Sequence, residues 1–291
     1  MNLRTKTVVN MQSPRSVYMP ALVNEALSAL QTGAIALAGG TWIMRAPLRG
    51  QALGASYVSL RGLEGIRAIE FREAEIAIGA AVTHFELAAA LKSVPDCAGL
   101  AQAAAQAANP AVRHAATLGG NLCAVGFAAS DLVPALLAAS GEVEIRTACG
   151  VERKSFEAFL ASRASLQPGW LLTRVFASRS SRRSAHARLP LRQAGDYPVA
   201  IVSASVNLTR DKRIASARIA VGSVEPAARR WPALEQALEG RALDPDSAAE
   251  WARERLRDFT GRDGVEAPGW YRTQVLPSLV RSAFQSLQTE A

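Results

Sequence analysis

The chain has only three cysteines and three histidines among its 291 residues. Cys97, Cys123 and Cys149 show no Cys-x-x-Cys spacing, and an odd set with no pairing pattern argues against a disulfide framework or a zinc site. A reduced, cytoplasmic setting follows. His84, His114 and His186 stand at no metal-ligand spacing to one another, to a cysteine or to a carboxylate. Hydrolysis is poorly supported, because there is no Gly-x-Ser-x-Gly elbow. The absence of Gly-x-Gly-x-x-Gly and of a P-loop removes the nicotinamide-Rossmann and NTPase readings. No apolar run reaches the ~18 residues of a membrane span. The basic segment Met1-Asn2-Leu3-Arg4-Thr5-Lys6 leads into no apolar stretch of a signal peptide, so the sequence predicts a soluble protein that is not secreted.

What is present is a large apolar fraction and an excess of positive charge. Hydrophobic residues make up 49% of the chain, enough for a sizeable core, and 291 residues predict two or three domains. The 33 Lys and Arg against 25 Asp and Glu give a net charge of +8, which suits a phosphate-bearing cofactor, an acidic partner subunit or nucleic acid. Nucleic acid is disfavoured, since no binding motif occurs and the arginines are scattered. The one cluster, Arg179, Arg182, Arg183, Arg188 and Arg192, reads as a solvated Ser/Arg linker.

Two glycine pairs stand out: Ala38-Gly39-Gly40-Thr41 and Thr117-Leu118-Gly119-Gly120-Asn121. Each reads as a turn beside a hydroxyl, where a backbone without Cβ atoms can bring N–H groups against a diphosphate. Gly-Gly is also the commonest of simple turns; it is the occurrence of two such pairs that points to a dinucleotide or similar phosphate-rich cofactor held by separate loops.

The periodicity predicts a helix over Asn24–Leu30, a strand over Ile35–Ala38, and short strands at Tyr57–Leu60 and Glu75–Ile78. Thr83-His84-Phe85-Glu86 carries the Thr-x-x-Glu capping box of a helix running to about Leu91. Asp96 opens an Ala-rich helix ending near Asn109-Pro110, Asp131–Ala139 reads as a buried helix, and Val143 and Ile145 lie on a half-buried strand. Beyond a boundary at 178–188, Val199–Leu208 and Ile214–Gly222 form a hairpin around Arg210-Asp211-Lys212. Helices are expected at Ala233–Leu238, Ala248–Phe259 and Tyr271–Leu287. The fold class is therefore α+β: an N-terminal region of two α/β subdomains (about 1–56 and 57–177), a linker at 178–188, and a C-terminal α+β domain at 189–291.

Four motifs in order carry a family resemblance: Leu37-Ala38-Gly39-Gly40-Thr41; Ile76-Ala77-Ile78-Gly79-Ala80 with Thr83-His84-Phe85-Glu86-Leu87; Ala116-Thr117-Leu118-Gly119-Gly120-Asn121-Leu122; and Ser130-Asp131-Leu132 with Pro134-Ala135-Leu136-Leu137. With Ala200-Ile201-Val202-Ser203 and Arg218-Ile219-Ala220-Val221-Gly222, the chain resembles the FAD-binding medium subunit of the xanthine dehydrogenase and carbon monoxide dehydrogenase family of molybdenum hydroxylases. The resemblance implies a PCMH-type FAD-binding domain with a C-terminal domain closing over the cofactor. It implies an electron-transfer role, from iron-sulfur clusters on a small partner subunit through FAD to an acceptor such as NAD or a quinone, with molybdopterin on a large partner subunit. No catalytic acid or base and no metal ligand is implied on this chain.

By position, Ala38, Gly39, Gly40, Thr41 and Ile43 would line the first diphosphate loop and Thr117, Gly119, Gly120 and Asn121 the second. Asp131 would face the adenosine side, Leu172 would pack near the isoalloxazine, and Arg188 would stand where some relatives place a lysine near the flavin. Three departures mark this chain. Trp42 follows Gly-Gly-Thr where relatives have an acidic or small polar residue, and either stacks on the cofactor or fills the core. The loop Ala124-Val125-Gly126-Phe127-Ala128-Ala129 is one residue longer and lacks a usual proline, and the linker holds Arg188 instead of lysine. His84, in a first helical turn, reads as a surface residue. Two alternatives remain: a scaffold subunit with weak or no FAD, and a stand-alone flavoprotein oxidase.

Overall fold

The computed structural model describes residues 15–180, 182–191 and 197–289; the basic segment Met1–Lys6 and Arg192 lie outside them. The chain opens with β1 (Ser16–Tyr18), α1 (Val23–Gln31), β2 (Ile35–Leu37) and β3 (Ser56–Ser59). These strands form a small parallel sheet in the order β1-β3-β2. Ala26, Leu27 and Leu30 put one face of α1 into the core, as the spacing i, i+1, i+4 requires.

The second subdomain runs β4 (Ile69–Phe71), β5 (Glu75–Gly79), α2 (His84–Leu91), α3 (Ala98–Gln106), α4 (Pro110–Ala115), α5 (Leu118–Cys123), α6 (Leu132–Ala138), β6 (Glu142–Thr147), β7 (Gly150–Ser155), α7 (Phe156–Ser162) and β8 (Trp170–Ser178). Its antiparallel sheet has the order β4-β5-β8-β6-β7. Thr83 caps α2 as expected: its Oγ1 accepts from Glu86 N at 3.2 Å, and Glu86 Oε2 accepts from Thr83 N at 2.9 Å. The Ala-rich helix α3 ends at Gln106, short of the expected Asn109-Pro110, and Pro110 instead starts α4, where a proline at the first helical position gives up an N–H that would be unpaired anyway. One apolar core serves both N-terminal subdomains.

The C-terminal domain follows with β9 (Arg183–Pro190), β10 (Pro198–Leu208), β11 (Ile214–Gly222), β12 (Arg229–Arg230), α8 (Pro232–Leu238), α9 (Pro245–Arg253), α10 (Gly269–Gln274) and α11 (Leu276–Thr289). The hairpin of β10 and β11 is as expected. The helix expected over Tyr271–Leu287 is instead two, α10 and α11. Pro277 has no N–H to bond the carbonyl four residues earlier, so a continuous helix would lose a rung there.

The segment expected as a solvated linker, 178–188, is strand from Arg183 onward and pairs antiparallel with β10. Its two faces differ. Ala185, Ala187 and Leu189 enter the C-terminal core, while Ser184, His186 and Arg188 face the N-terminal region. The Ser184 hydroxyl accepts from Gly99 N at 3.0 Å and donates to Asp96 O at 3.2 Å, and Gln102 Oε1 accepts from His186 N at 2.9 Å. Helix α6 is buried at every residue because it lies between the domains. Its C-terminal carbonyls take bonds from the C-terminal sheet, Ser205 Oγ to Ala138 O at 2.6 Å and Arg218 Nε to Leu137 O at 3.3 Å.

Ser184→Val keeps the volume near that of serine plus a methyl but leaves Gly99 N–H buried without an acceptor. It is expected to cost about 1–3 kcal/mol, read as a lower urea midpoint at unchanged slope. A midpoint equal to wild type would show that β9 is not docked through this hydroxyl.

Candidate functional site

The second glycine motif is stitched to the segment before α2. Gly119 N donates to Ala80 O at 2.7 Å, Leu118 N to Val82 O at 2.8 Å, and His84 N to Ala116 O at 2.9 Å. The fit is close, since a Cβ on Gly119 would stand 2.8 Å from Ala80 Cβ. Gly119-Gly120 is not a turn, as expected, but the first turn of α5. Thr117 caps that helix, its Oγ1 accepting from Gly120 N at 3.1 Å. The N–H groups of this motif are therefore engaged within the protein.

The first motif behaves otherwise. Leaving β2, the chain turns at Gly39-Gly40 into a 3-10 helix at Ile43–Arg49. The N–H groups of Gly39, Gly40, Thr41 and Trp42 find no acceptor among the described residues. Gly39 is pressed onto the end of α4, where a Cβ would overlap Ala115 O at 1.8 Å. The two motifs face each other across a waist, with the missing Cβ of Gly120 3.9 Å from Ala38 Cβ.

A cavity opens on either side of that waist, and Gly40, Thr41, Trp42 and Gly120 line both. The first, of about 500 Å³, also takes in Ala38, Gly39, Ile43, Gly119 and Leu172, and has no charged side chain in its wall. The second, of about 470 Å³, holds Asn121, Asp131, Arg188, His84, Arg45 and Tyr197. Thr117 lines neither; it lies behind the waist with Arg61, Arg67 and His114. Asp131 and Arg188, expected at opposite ends of the cofactor, are an ion pair in one cavity, and Leu172 is in the other. Asp131 Oδ1 accepts from Arg188 Nε at 2.9 Å and lies 3.3 Å from His186 Nε2, whose Nδ1 is 2.9 Å from Ser203 Oγ.

The long loop after Asn121 is tied at several points. Ser130 Oγ donates to Asn121 Oδ1, and Ser223 N donates to Ala128 O at 3.1 Å. Phe127 fits between Trp42 and Tyr197, with ring centroids 4.8 and 5.6 Å away. The Arg49 guanidinium also lies against Trp42, 3.8 Å from the ring centroid. The indole is thus a wall shared by both cavities and packed on Phe127 and Arg49.

His84 is not a surface residue: it is 2% exposed and lines the second cavity. The signal was its spacing, since His84, Leu87 and Leu91 share the buried face of α2. Neither ring nitrogen has a hydrogen bond of good geometry among the described residues. Burial pushes its pKa down from 6.5 to about 4, against the opposing pulls of the Asp131 carboxylate and the Thr117 backbone. Tyr197, Phe127 and Arg45 carried no sequence signal, because their meeting depends on the domains closing on each other.

The described residues fit a dinucleotide. Free N–H groups sit at a waist that any side chain on Gly120 would narrow, between an apolar and a polar cavity. Residues 10–177 match the model of the FAD binding domain in molybdopterin dehydrogenase, and residues 186–287 match the CO dehydrogenase flavoprotein C-terminal domain. The chain belongs to this family of FAD-binding oxidoreductase components. It is similar to the alpha subunit of the 6-hydroxypseudooxynicotine dehydrogenase complex of Paenarthrobacter nicotinovorans, 27% identical over 77% of this chain and 76% of that one. In fold it is similar to quinoline 2-oxidoreductase from Pseudomonas putida 86 (TM-score 0.85, 24% identity, 96% of this chain and 99% of that one). It is similar also to carbon monoxide dehydrogenase from Hydrogenophaga pseudoflava (TM-score 0.85, 22% identity, 97% and 100%). No helix among the described residues is long and apolar enough to cross a membrane.

Because folded His84 binds a proton only near pH 4 while the unfolded ring does so near 6.5, the unfolded state holds more protons in between. Stability therefore rises with pH across this window, and the contribution of His84 is lost as pH falls through it. His84→Gln is expected to remove on the order of 2 kcal/mol from the difference in unfolding free energy between about pH 7 and pH 4.5. Urea titrations at the two pH values check this; an equal pH dependence in wild type and variant would mean that the ring binds protons alike in the folded and unfolded chain.

Proposed function

We propose that the chain is the electron-transferring FAD subunit of a heteromeric molybdenum hydroxylase. The carrying observation is the waist between two unlike cavities, with four N–H groups on the Gly39-Gly40 side that find no acceptor among the described residues. The N–H groups of Gly39, Gly40, Thr41 and Trp42 would hold the diphosphate. The apolar cavity with Leu172 would hold the adenosine, and Asn121, Asp131 and Arg188 in the polar cavity would hold the isoalloxazine half. This reverses the expected places of Asp131 and Leu172, since Arg188 and Asp131 share one cavity. FAD supplies the ability to take up and release electrons in one-electron and two-electron steps. Thr41 and the first-loop backbone bind and orient; Trp42, Phe127 and Tyr197 screen the cavity from water; Arg188 and Asn121 present hydrogen-bonding groups to the polar edge of the ring.

The relative from Paenarthrobacter is named as part of a dehydrogenase complex, which supports an assembly here too. The partners in this reading are a small iron-sulfur subunit as electron donor and a large molybdopterin subunit as the place of substrate oxidation, in the cytoplasm. The three cysteines of this chain are too few for a four-cysteine cluster, and among the described residues no group of His, Cys, Asp or Glu is placed to hold a metal. NAD or a quinone is the final acceptor.

Gly120→Val places branches into the waist, where a Cβ is already 2.8 Å from Thr117 Oγ1. FAD affinity is expected to fall at least ~10-fold, about 1.4 kcal/mol, by flavin-fluorescence titration. A folded variant with full flavin absorbance would refute the waist as the diphosphate site. Purification from native cells is expected to bring down iron and molybdenum with this chain, and the association is expected to weaken with salt. Recovery of this chain alone with full dehydrogenase activity would overturn the assembly.

A further inference from the structure

His84 is a buried polar group whose ring nitrogens make no hydrogen bond of good geometry among the described residues; they are not reached by solvent, yet the residue lines the polar cavity beside the waist. Its backbone fixes it there, through the Thr83 cap and the bond from His84 N to Ala116 O at 2.9 Å. Asp131 lines the same cavity, its Oδ1 accepting from Arg188 Nε at 2.9 Å and lying 3.3 Å from His186 Nε2. A neutral imidazole offers a donor and an acceptor, and a carboxylate oxygen accepts. A hydroxyl answers both, donating to the carboxylate and accepting from the ring.

We propose that His84 and Asp131 together hold the ribityl hydroxyls of FAD. The proposal rests on the FAD reading above and adds a part of the cofactor to it. Covalent order supports the assignment: the atoms that follow the diphosphate on the flavin side are the ribityl chain, and His84, bonded through its backbone N–H to Ala116 O, lines the cavity that also holds Gly40, Thr41 and Gly120 of the waist. A purely core-filling histidine would have had its nitrogens bonded within the protein, as His186 has with Ser203 and Asp131. His84 is thus a cofactor-contact residue that the capping-box motif delivers to the cavity.

The test uses the full chain, stripped of flavin and titrated with FAD and with ADP, in wild type, His84→Leu and His84→Gln. Leu removes both polar atoms and Gln restores a donor and an acceptor. FAD affinity is expected to fall at least ~10-fold in H84L and to stay within about threefold of wild type in H84Q. The flavin-free melting temperature of H84L should equal or exceed wild type, since an unsatisfied buried group has been removed. ADP, which lacks the ribityl chain, should bind all three alike. Unchanged FAD affinity in H84L, an equal loss in H84Q, or a parallel loss of ADP would overturn the inference. A wild-type chain that binds ADP but not FAD, or neither, would instead overturn the FAD reading on which it rests.

Discussion

The buried carboxylate of Asp131 is the constraint on which the closed arrangement of the two domains depends. It sits just before α6, the helix enclosed by both domains, and its partners Arg188 and His186 come from β9 of the other domain. A carboxylate at 4% exposure without a cation nearby is costly, and removing one member of such a pair is far more destabilising than the pair is stabilising. The ion pair therefore acts mainly on specificity of docking. It selects the one placement of β9 that puts Arg188 against Asp131, and the apolar contacts on the other face of β9 supply the cohesion.

That docking explains why the cavities exist. The waist is made within the N-terminal region, by bonds from the second glycine motif to Ala80 and Val82 and by the seat of Gly39 on Ala115. The polar cavity is completed only when the C-terminal domain brings Arg188, Tyr197 and Pro198 over it. The loop at 124–129 serves both, since Asn121 holds one end while Ser223 and Tyr197 of the C-terminal domain hold its far side.

Elements set by local chemistry were legible in the sequence: the Thr83–Glu86 capping box, the β10–β11 hairpin, and the order of the four motifs. What escaped had non-local causes. The Ser/Arg stretch reads as solvated because composition cannot tell whether a polar face meets water or another domain; in the fold Ser184 and His186 bond to Gly99 and Gln102. His84 was misplaced because residue type outweighed the i, i+3, i+7 spacing with Leu87 and Leu91. The two glycine pairs look equivalent as strings. They differ because the second enters a helix, where its N–H groups bond internally, while the first leaves a strand edge with none to bond.

The same pairing bears on the electrostatics felt by a bound flavin. Arg188 in isolation would place a cation beside the ring and favour its reduced, anionic form. With its Nε bonded to Asp131 at 2.9 Å, much of that field is offset by the carboxylate, and both groups are nearly inaccessible to screening by water. In the proposed placement the reduction potential would then be governed less by net charge than by directed hydrogen bonds, from the backbone and from groups such as Asn121, whose side chain is held by Ser130. Preorganised dipoles of this kind keep their effect as electrons arrive and leave, because they need not reorganise as the charge on the ring changes. Such a site suits a carrier between centres, where the charge on the cofactor rises and falls repeatedly within a fixed protein frame.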